Sequence, residues 1–231
     1  LEYAGKINAH YRFDNVKEYD ENHRVKTFAA RDVNTLVIFT DGSHTPGNSA
    51  GWSCVPLAKS IIGDNNGQLA PLIRPRCGEV TLDPTVGQPH FRQVCANVES
   101  NGLPYFCGAT KHSNNTGELQ GCIMALQMIL DEPEYMARFN KVLLCIDSRW
   151  TINQMTGRCR NTSNWQMVKE VQNRILTLTA PVADDGAGKQ LELMHIRSHT
   201  DVKWNDWADK FAKAAAPLGI RDRLGNAIVD M

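Results

Sequence analysis

The stretch of this 231-residue chain that most constrains its fold is Val142 to Ile146, which is apolar without a break. A strand with one face in water alternates apolar and polar side chains. An unbroken run is the pattern of a strand covered on both faces. Helical periodicity flanks it on both sides. Leu119, Cys122, Ile123, Leu126, Ile129 and Leu130 recur with a 3.6-residue period, and so do Trp165, Val168, Val171, Ile175 and Leu176. A doubly covered strand between two amphipathic helices predicts an α/β fold, a mixed sheet flanked by helices.

The remaining elements fit that layering. Thr35 to Thr40 is a β-branched and aromatic run that stops at Asp41-Gly42-Ser43, a strand meeting a turn. Gly51 to Val55 and Tyr105 to Thr110 read as further strands, and Leu191, Leu193 and Ile196 as a half-buried one. Asn115 or Thr116 is the expected cap of the first helix, which Pro133 follows. Asp147-Ser148 can start a short helix, and Trp207, Ala208, Phe211, Ala212 and Ala215 mark a final one before Pro217. Residues 1–34 read as a polar extension with one short strand near Val25–Phe28, and 218–231 as a tail. Residues 56–104, rich in Pro, Gly and Asn, read as a long insertion between the second and third strands.

Four acids share one kind of position. Asp41 and Asp147 follow strands, Glu118 opens a helix, and Asp209 lies in the last helix. Sites in open α/β sheets gather beyond the carboxyl ends of strands. Carboxylates on rigid elements suit hard divalent cations, which take oxygen ligands. Any one of them can equally be a turn or cap residue. Spacing alone does not make four residues converge.

The segments around these acids resemble the type 1 ribonuclease H family. They are Phe39 to Ser43, Asn114-Asn115-Thr116-Gly117-Glu118-Leu119, Ile146-Asp147-Ser148, and Ser198-His199-Thr200 with Asn205 and then Asp209 to Ala212. They occur in the family's order, over about residues 35–217. The resemblance implies a ribonuclease H-like fold with a mixed five-stranded sheet, the catalytic domain spanning 35–217. It implies that Asp41, Glu118, Asp147 and Asp209 bind two Mg²⁺ ions, for which Mn²⁺ can substitute, and that His199 is a mobile auxiliary catalytic residue. His195 is expected only to pack, and no family role attaches to His44.

The implied activity is metal-dependent cleavage of the RNA strand of an RNA–DNA hybrid. Asn114 and Asn115 match the family's minor-groove asparagines, and Asn161, with Ser113 as partner, its contact to a DNA phosphate. An amide can donate and accept at base edges and sugars. The chain departs from well-studied bacterial members by lacking their basic, tryptophan-bearing protrusion. Only residues 156–160 stand between the short helix and Asn161, with Arg158 roughly where an aromatic residue would be. Arg149, Arg158, Arg160, Lys169 and Arg174 face a single acid, Glu170, over 26 residues, a candidate phosphate track.

Charge and cysteines set the context. The 25 basic and 25 acidic residues cancel, which argues against grip by bulk charge. Residues 111–180, however, carry eight bases to six acids, two of them expected metal ligands. The odd number of cysteines, seven, with none in a C-x-x-C pair, reads as reduced thiols in an intracellular protein. Cys77, His90, Cys95 and Cys107 match no zinc spacing. No stretch is apolar enough for a membrane helix.

The chain starts at Leu1, so it reads as a trimmed piece, and a neighbouring polymerase or hybrid-binding domain is one expectation. A monomer is the favoured state. The alternatives are a ribonuclease H domain cut from a retroelement reverse transcriptase, a catalytically silent nucleic-acid-binding module, and a related nuclease acting on duplex RNA or DNA.

Overall fold

A computed structural model describes residues 33–45, 49–59, 69–72, 75–80, 82, 107–159, 164–181, 188–198 and 202–216. The elements run β1 (Thr35–His44), β2 (Ala50–Lys59), β3 (Leu69–Pro71), β4 (Arg76–Glu79), α1 (Asn114–Asp131), α2 (Pro133–Arg138), β5 (Lys141–Ile146), α3 (Arg149–Met155), α4 (Trp165–Thr179), β6 (Gln190–His195) and α5 (Lys203–Ala215). The sheet order is β3-β2-β1-β5-β6, with β4 also paired to β2. β1 is antiparallel to β2 and parallel to β5, and β5 is parallel to β6. The sheet is therefore mixed, as its sequence pattern requires.

Both faces are covered. Leu36, Ile38, Cys54, Val142, Leu144 and Ile146 pack with α1 and α4 residues such as Leu119, Ile123, Val171 and Ile175. Val37, Phe39, Val55, Leu57, Leu143 and Cys145 pack on the other face with Ala208 of α5. This is why Val142 to Ile146 carries no polar residue. Among the described residues, no helix is long and apolar enough to cross a membrane.

Several expectations need correction. The first helix begins earlier than the Asn115 or Thr116 cap implies. Ser113 is the N-cap, and its hydroxyl accepts from the Thr116 N–H at 3.2 Å while Thr116 Oγ1 accepts from the Ser113 N–H at 2.9 Å. Pro133 does not merely stop a helix. It opens α2, where its missing N–H costs nothing. The sheet has six strands rather than five, because two short pieces, β3 and β4, pair with β2. Both lie within 56–104, and β2 itself runs on to Lys59. The third strand is therefore not Tyr105 to Thr110. Of that stretch the described part holds an isolated bridge, Leu82 with Ala109. The possible strand at 25–28 and the tail at 218–231 lie outside the described residues.

Close backbone approaches fix how α1 sits on the sheet. A Cβ on Gly117 would lie 2.5 Å from the Gly51 carbonyl oxygen and 3.0 Å from the Gly42 Cα. A Cβ on Gly42 would overlap the Glu118 backbone nitrogen. One turn on, a Cβ on Gly121 would stand 3.0 Å from the Ser53 carbonyl oxygen. The first turns of α1 thus lie directly against the ends of β1 and β2.

Glycine inside a helix is ordinarily worse than alanine by about 1 kcal/mol. Gly117→Ala should nevertheless destabilise, by about 1–3 kcal/mol, because the added methyl meets backbone that has no rotamer to change. Chemical denaturation checks the sign.

Candidate active site

The contact between Gly42 and Gly117 has a chemical consequence. Asp41, next to Gly42, and Glu118, next to Gly117, are brought together. Parallel pairing of β1 with β5 then sets the residue after Ile146 beside them, since Thr40 is opposite Ile146. One carboxylate oxygen from each of Asp41, Glu118 and Asp147 lies within 4.8 Å of the others. Three of the four expected acids therefore converge.

Their surroundings are hostile to negative charge. Asp41 and Glu118 are buried and Asp147 is half-buried. Burial pushes the Asp41 carboxyl up from an ordinary 3.8 to about 7, and the Asp147 charge adds to the rise. Glu118 is raised well above the usual carboxylate range by burial and then by the Asp41 and Asp147 charges. A hydrogen bond joins the Glu118 and Asp41 side chains and raises Glu118 further. Asp147 is raised mainly by burial, and hydrogen bonds from the Asn205 and Ser198 side chains oppose that.

The fourth acid stands apart. Asp209 Oδ2 pairs with Lys213 Nζ at 2.7 Å, one turn along α5, and is outside the three-carboxylate group. Its charge still acts on Asp41 and Asp147, so it sits at the edge of the same site.

The donor set fits hard divalent cations. It is oxygen-only and buried, and its repulsion is what a divalent charge relieves. Glu118 Oε2 is buried without a hydrogen-bond partner, so an acceptor is left for a ligand to satisfy.

The other sequence-level candidates fall into three groups. Ser113, Asn114 and Asn115 lie at the start of α1, one turn before Glu118, with both asparagines exposed. The Ser113 hydroxyl is engaged in capping. Arg158 is exposed just beyond α3. His199, Asn161 and Arg160 lie outside the described residues, as do His90 and Cys95. Among the described residues no cysteine is in a disulfide, Cys77 and Cys107 included.

His195 has the packing role expected of it. Its Nε2 donates to the Asp147 carbonyl oxygen at 3.1 Å, and burial lowers its pKa, so the ring acts as a neutral donor. His44, at the end of β1, lies close enough to help lower the His112 pKa, with burial the larger cause.

Two residues of the fourth motif have a supporting role that the sequence left unassigned. Asn205 and Ser198 hold Asp147, and Asn205 does so through its amide nitrogen, because its Oδ1 has no partner. The signal was the spacing itself: Asn205, Asp209 and Lys213 repeat every four residues along one face of a helix.

The family model RNase H matches residues 89–217, which is 129 of the 231 residues. Glu118, Asp147 and Asp209 fall within that match and Asp41 does not. No curated protein matches the chain. Solved structures that it resembles include RNase H1 from the halophilic archaeon Halobacterium salinarum, at 16% identity and TM-score 0.47 over 78% of this chain and 96% of that one. Another is LC11-RNase H1 isolated from compost, at 17% identity and TM-score 0.47 over 79% and 95%. A third is the foamy viral protease-reverse transcriptase in complex with RNA/DNA hybrid, at 10% identity and TM-score 0.47 over 81% of this chain and 20% of that one.

The raised carboxyls make a prediction about pH. With Asp41 near 7 when folded and near 3.8 when unfolded, the folded state binds more protons between these values. Stability in chelator should therefore fall as pH rises from about 4 to about 7. Asp41→Asn should flatten that slope, as read by thermal unfolding across the range.

Proposed function

The chain belongs to the RNase H family, and from that premise we propose that it is a metal-dependent endoribonuclease that hydrolyses the RNA strand of RNA–DNA hybrids. The observation that carries this reading is the convergence of Asp41, Glu118 and Asp147. Asp41 comes from outside the family match, yet the fold delivers it to the two matched acids.

Hydrolysis of a phosphodiester needs a nucleophilic water and a stabilised leaving oxygen, and a pair of divalent ions supplies both. In this reading Asp41, Glu118, Asp147 and Asp209 hold two Mg²⁺ ions, with Mn²⁺ as a substitute. A single carboxylate cannot fix two divalent ions, which explains a site with so many. Asp41 and Glu118 are anchored by backbone contact, so they give the site its rigidity. Asn205 and Ser198 keep Asp147 aimed and favour its charged form. Asp209 has to leave Lys213, in whole or in part, to join the others. His199 follows Ser198, close in sequence to the group that orients Asp147. Its role in this reading is proton movement or product release.

Substrate choice rests on the start of α1. Asn114 and Asn115 are exposed one turn from Glu118, where amides can reach sugars and base edges in a shallow minor groove. Ser113 and Asn161 are assigned to the phosphates of the other strand, and Arg158 and Arg160 to a track along them. A silent binding module is the weaker reading, because two buried acids and a half-buried third are costly to keep together unless a cation neutralises them.

One assay separates these readings. Labelled RNA–DNA hybrid, RNA duplex, DNA duplex and single-stranded RNA are offered with Mg²⁺ and with EDTA. Cleavage confined to the hybrid's RNA and lost in EDTA is the expected result, and cutting of single strands alone overturns it. Asp147→Asn should lower turnover by about a hundredfold to a thousandfold, as removal of a group stabilising transition-state charge does, with an unchanged circular dichroism spectrum. Replacing Arg158 and Arg160 together should raise KM and flatten its salt dependence. An unchanged salt slope removes them from the contact surface.

A further inference from the structure

Among the described residues two large apolar side chains are exposed, Val33 and Trp165, the latter at 58%. Trp165 opens α4, and its place in the fold is informative. β5 and β6 are parallel and in register, Lys141 opposite Gln190 and Ile146 opposite His195. The start of β6 is therefore at the end of the sheet away from Asp147. The last turn of α4 is at that far end, where the Lys189 N–H donates to the Leu178 carbonyl at 3.2 Å. At about 1.5 Å per residue, 15 helical residues run roughly the length of the strands. The first turn of α4 thus comes back to the carboxylate end.

A second contact locates it more closely. A Cβ on Gly108 would lie 2.5 Å from the Gln166 Cβ, so the first turn of α4 rests on the segment leading into Lys111 and the Ser113 cap. Trp165 is therefore on the same side of the molecule as Ser113, Asn114 and Asn115. Lys169, one turn along, is exposed, and so is Lys111, three residues after the Gly108 that meets Gln166. Residues three or four apart share a helix face, so the indole and the Lys169 ammonium form one surface.

We propose that Trp165, with Lys169 and Lys111, forms a second contact surface for the hybrid, on which the indole packs against the sugar–phosphate backbone away from the cleaved phosphate. The proposal rests on the hybrid-cleaving reading of the carboxylate site and adds a positioning residue to it. An aromatic face with flanking cations is how proteins hold nucleic-acid strands without reading sequence. The chain also lacks the basic protrusion that would otherwise supply aromatic and basic side chains. An exposed indole in this place answers both needs at once. It acts on binding and not on bond cleavage, so it should move KM and leave kcat.

The test uses the full chain, with Trp165→Ala, Trp165→Phe and Lys169→Gln. Trp165→Ala should raise KM for a long hybrid about fivefold or more, the low end of what an aromatic–nucleotide contact contributes. kcat and the thermal midpoint should stay unchanged, because the side chain is largely in water. Trp165→Phe should keep most of the affinity, and Lys169→Gln should reduce the salt dependence of KM. For a hybrid trimmed to the base pairs around the cleaved phosphate, wild type and Trp165→Ala should become equal. A binding titration in EDTA gives a readout free of catalysis: hybrid should quench a part of the tryptophan fluorescence that Trp165→Phe lacks.

Quenching without any cleavage in Mg²⁺ would defeat the catalytic reading and leave this contact standing. Unchanged KM together with unchanged quenching in the variants overturns the contact. Self-association that Trp165→Ala abolishes, with KM unaltered, would assign the surface to a second copy of the chain and also overturn it.

Discussion

Three carboxylates that repel one another are held at one point by backbone that cannot give way. That constraint organises the rest of the molecule. The ends of β1 and β2 and the first turns of α1 touch through Gly42, Gly51 and Gly117, so the positions of Asp41 and Glu118 follow from main-chain packing. Asp147 follows from strand pairing. Such a cluster would spread apart if it hung on loops. It survives because each acid is attached to an element packed into the core, whose displacement would open it.

The electrostatics follow from the same placement. A cluster raised mainly by burial is poorly solvated as an anion and well suited to a divalent partner. The helix face of Asn205, Asp209 and Lys213 adds a graded border to it. Asn205 supports the charge on Asp147, while Lys213 neutralises Asp209 at the edge. The site therefore has a fixed part, Asp41, Glu118 and Asp147, with Asp209 standing at its border. The zero net charge of the chain is no obstacle to a nucleic-acid substrate, because net charge does not report where bases sit, and Lys111, Arg158 and Lys169 are all exposed.

How much of this was legible follows from what periodicity can encode. β1, β2, β5, α1, α4, β6 and α5 were readable because each buries a face or two, and burial leaves a pattern in side-chain type. β3 and β4 were not, since three and four residues with mixed burial are too few to show a period. The cap was misplaced by two residues because Ser113, Asn115 and Thr116 are all good capping residues, and the choice depends on where the backbone turns. The meeting of Asp41, Glu118 and Asp147, 77 and 29 positions apart, lay beyond spacing arguments and entered only by resemblance. The pairing of Asp209 with Lys213 was visible as a four-residue spacing but was not weighed against its expected role. Glycines 42, 51 and 117, which position the whole site, are ordinary in sequence, because a close approach leaves no mark except the absence of a side chain.

The central claim is that these carboxylates form a binding site for divalent metal ions. Calorimetric titration of Mn²⁺ into the protein, in the presence of hybrid and at a pH above 7, measures it directly. Saturable binding of two ions per chain is expected, with binding severely weakened in Asp41→Asn although the variant remains folded. Mn²⁺ binding that is absent, or that is the same in the wild type and in Asp41→Asn, would contradict it.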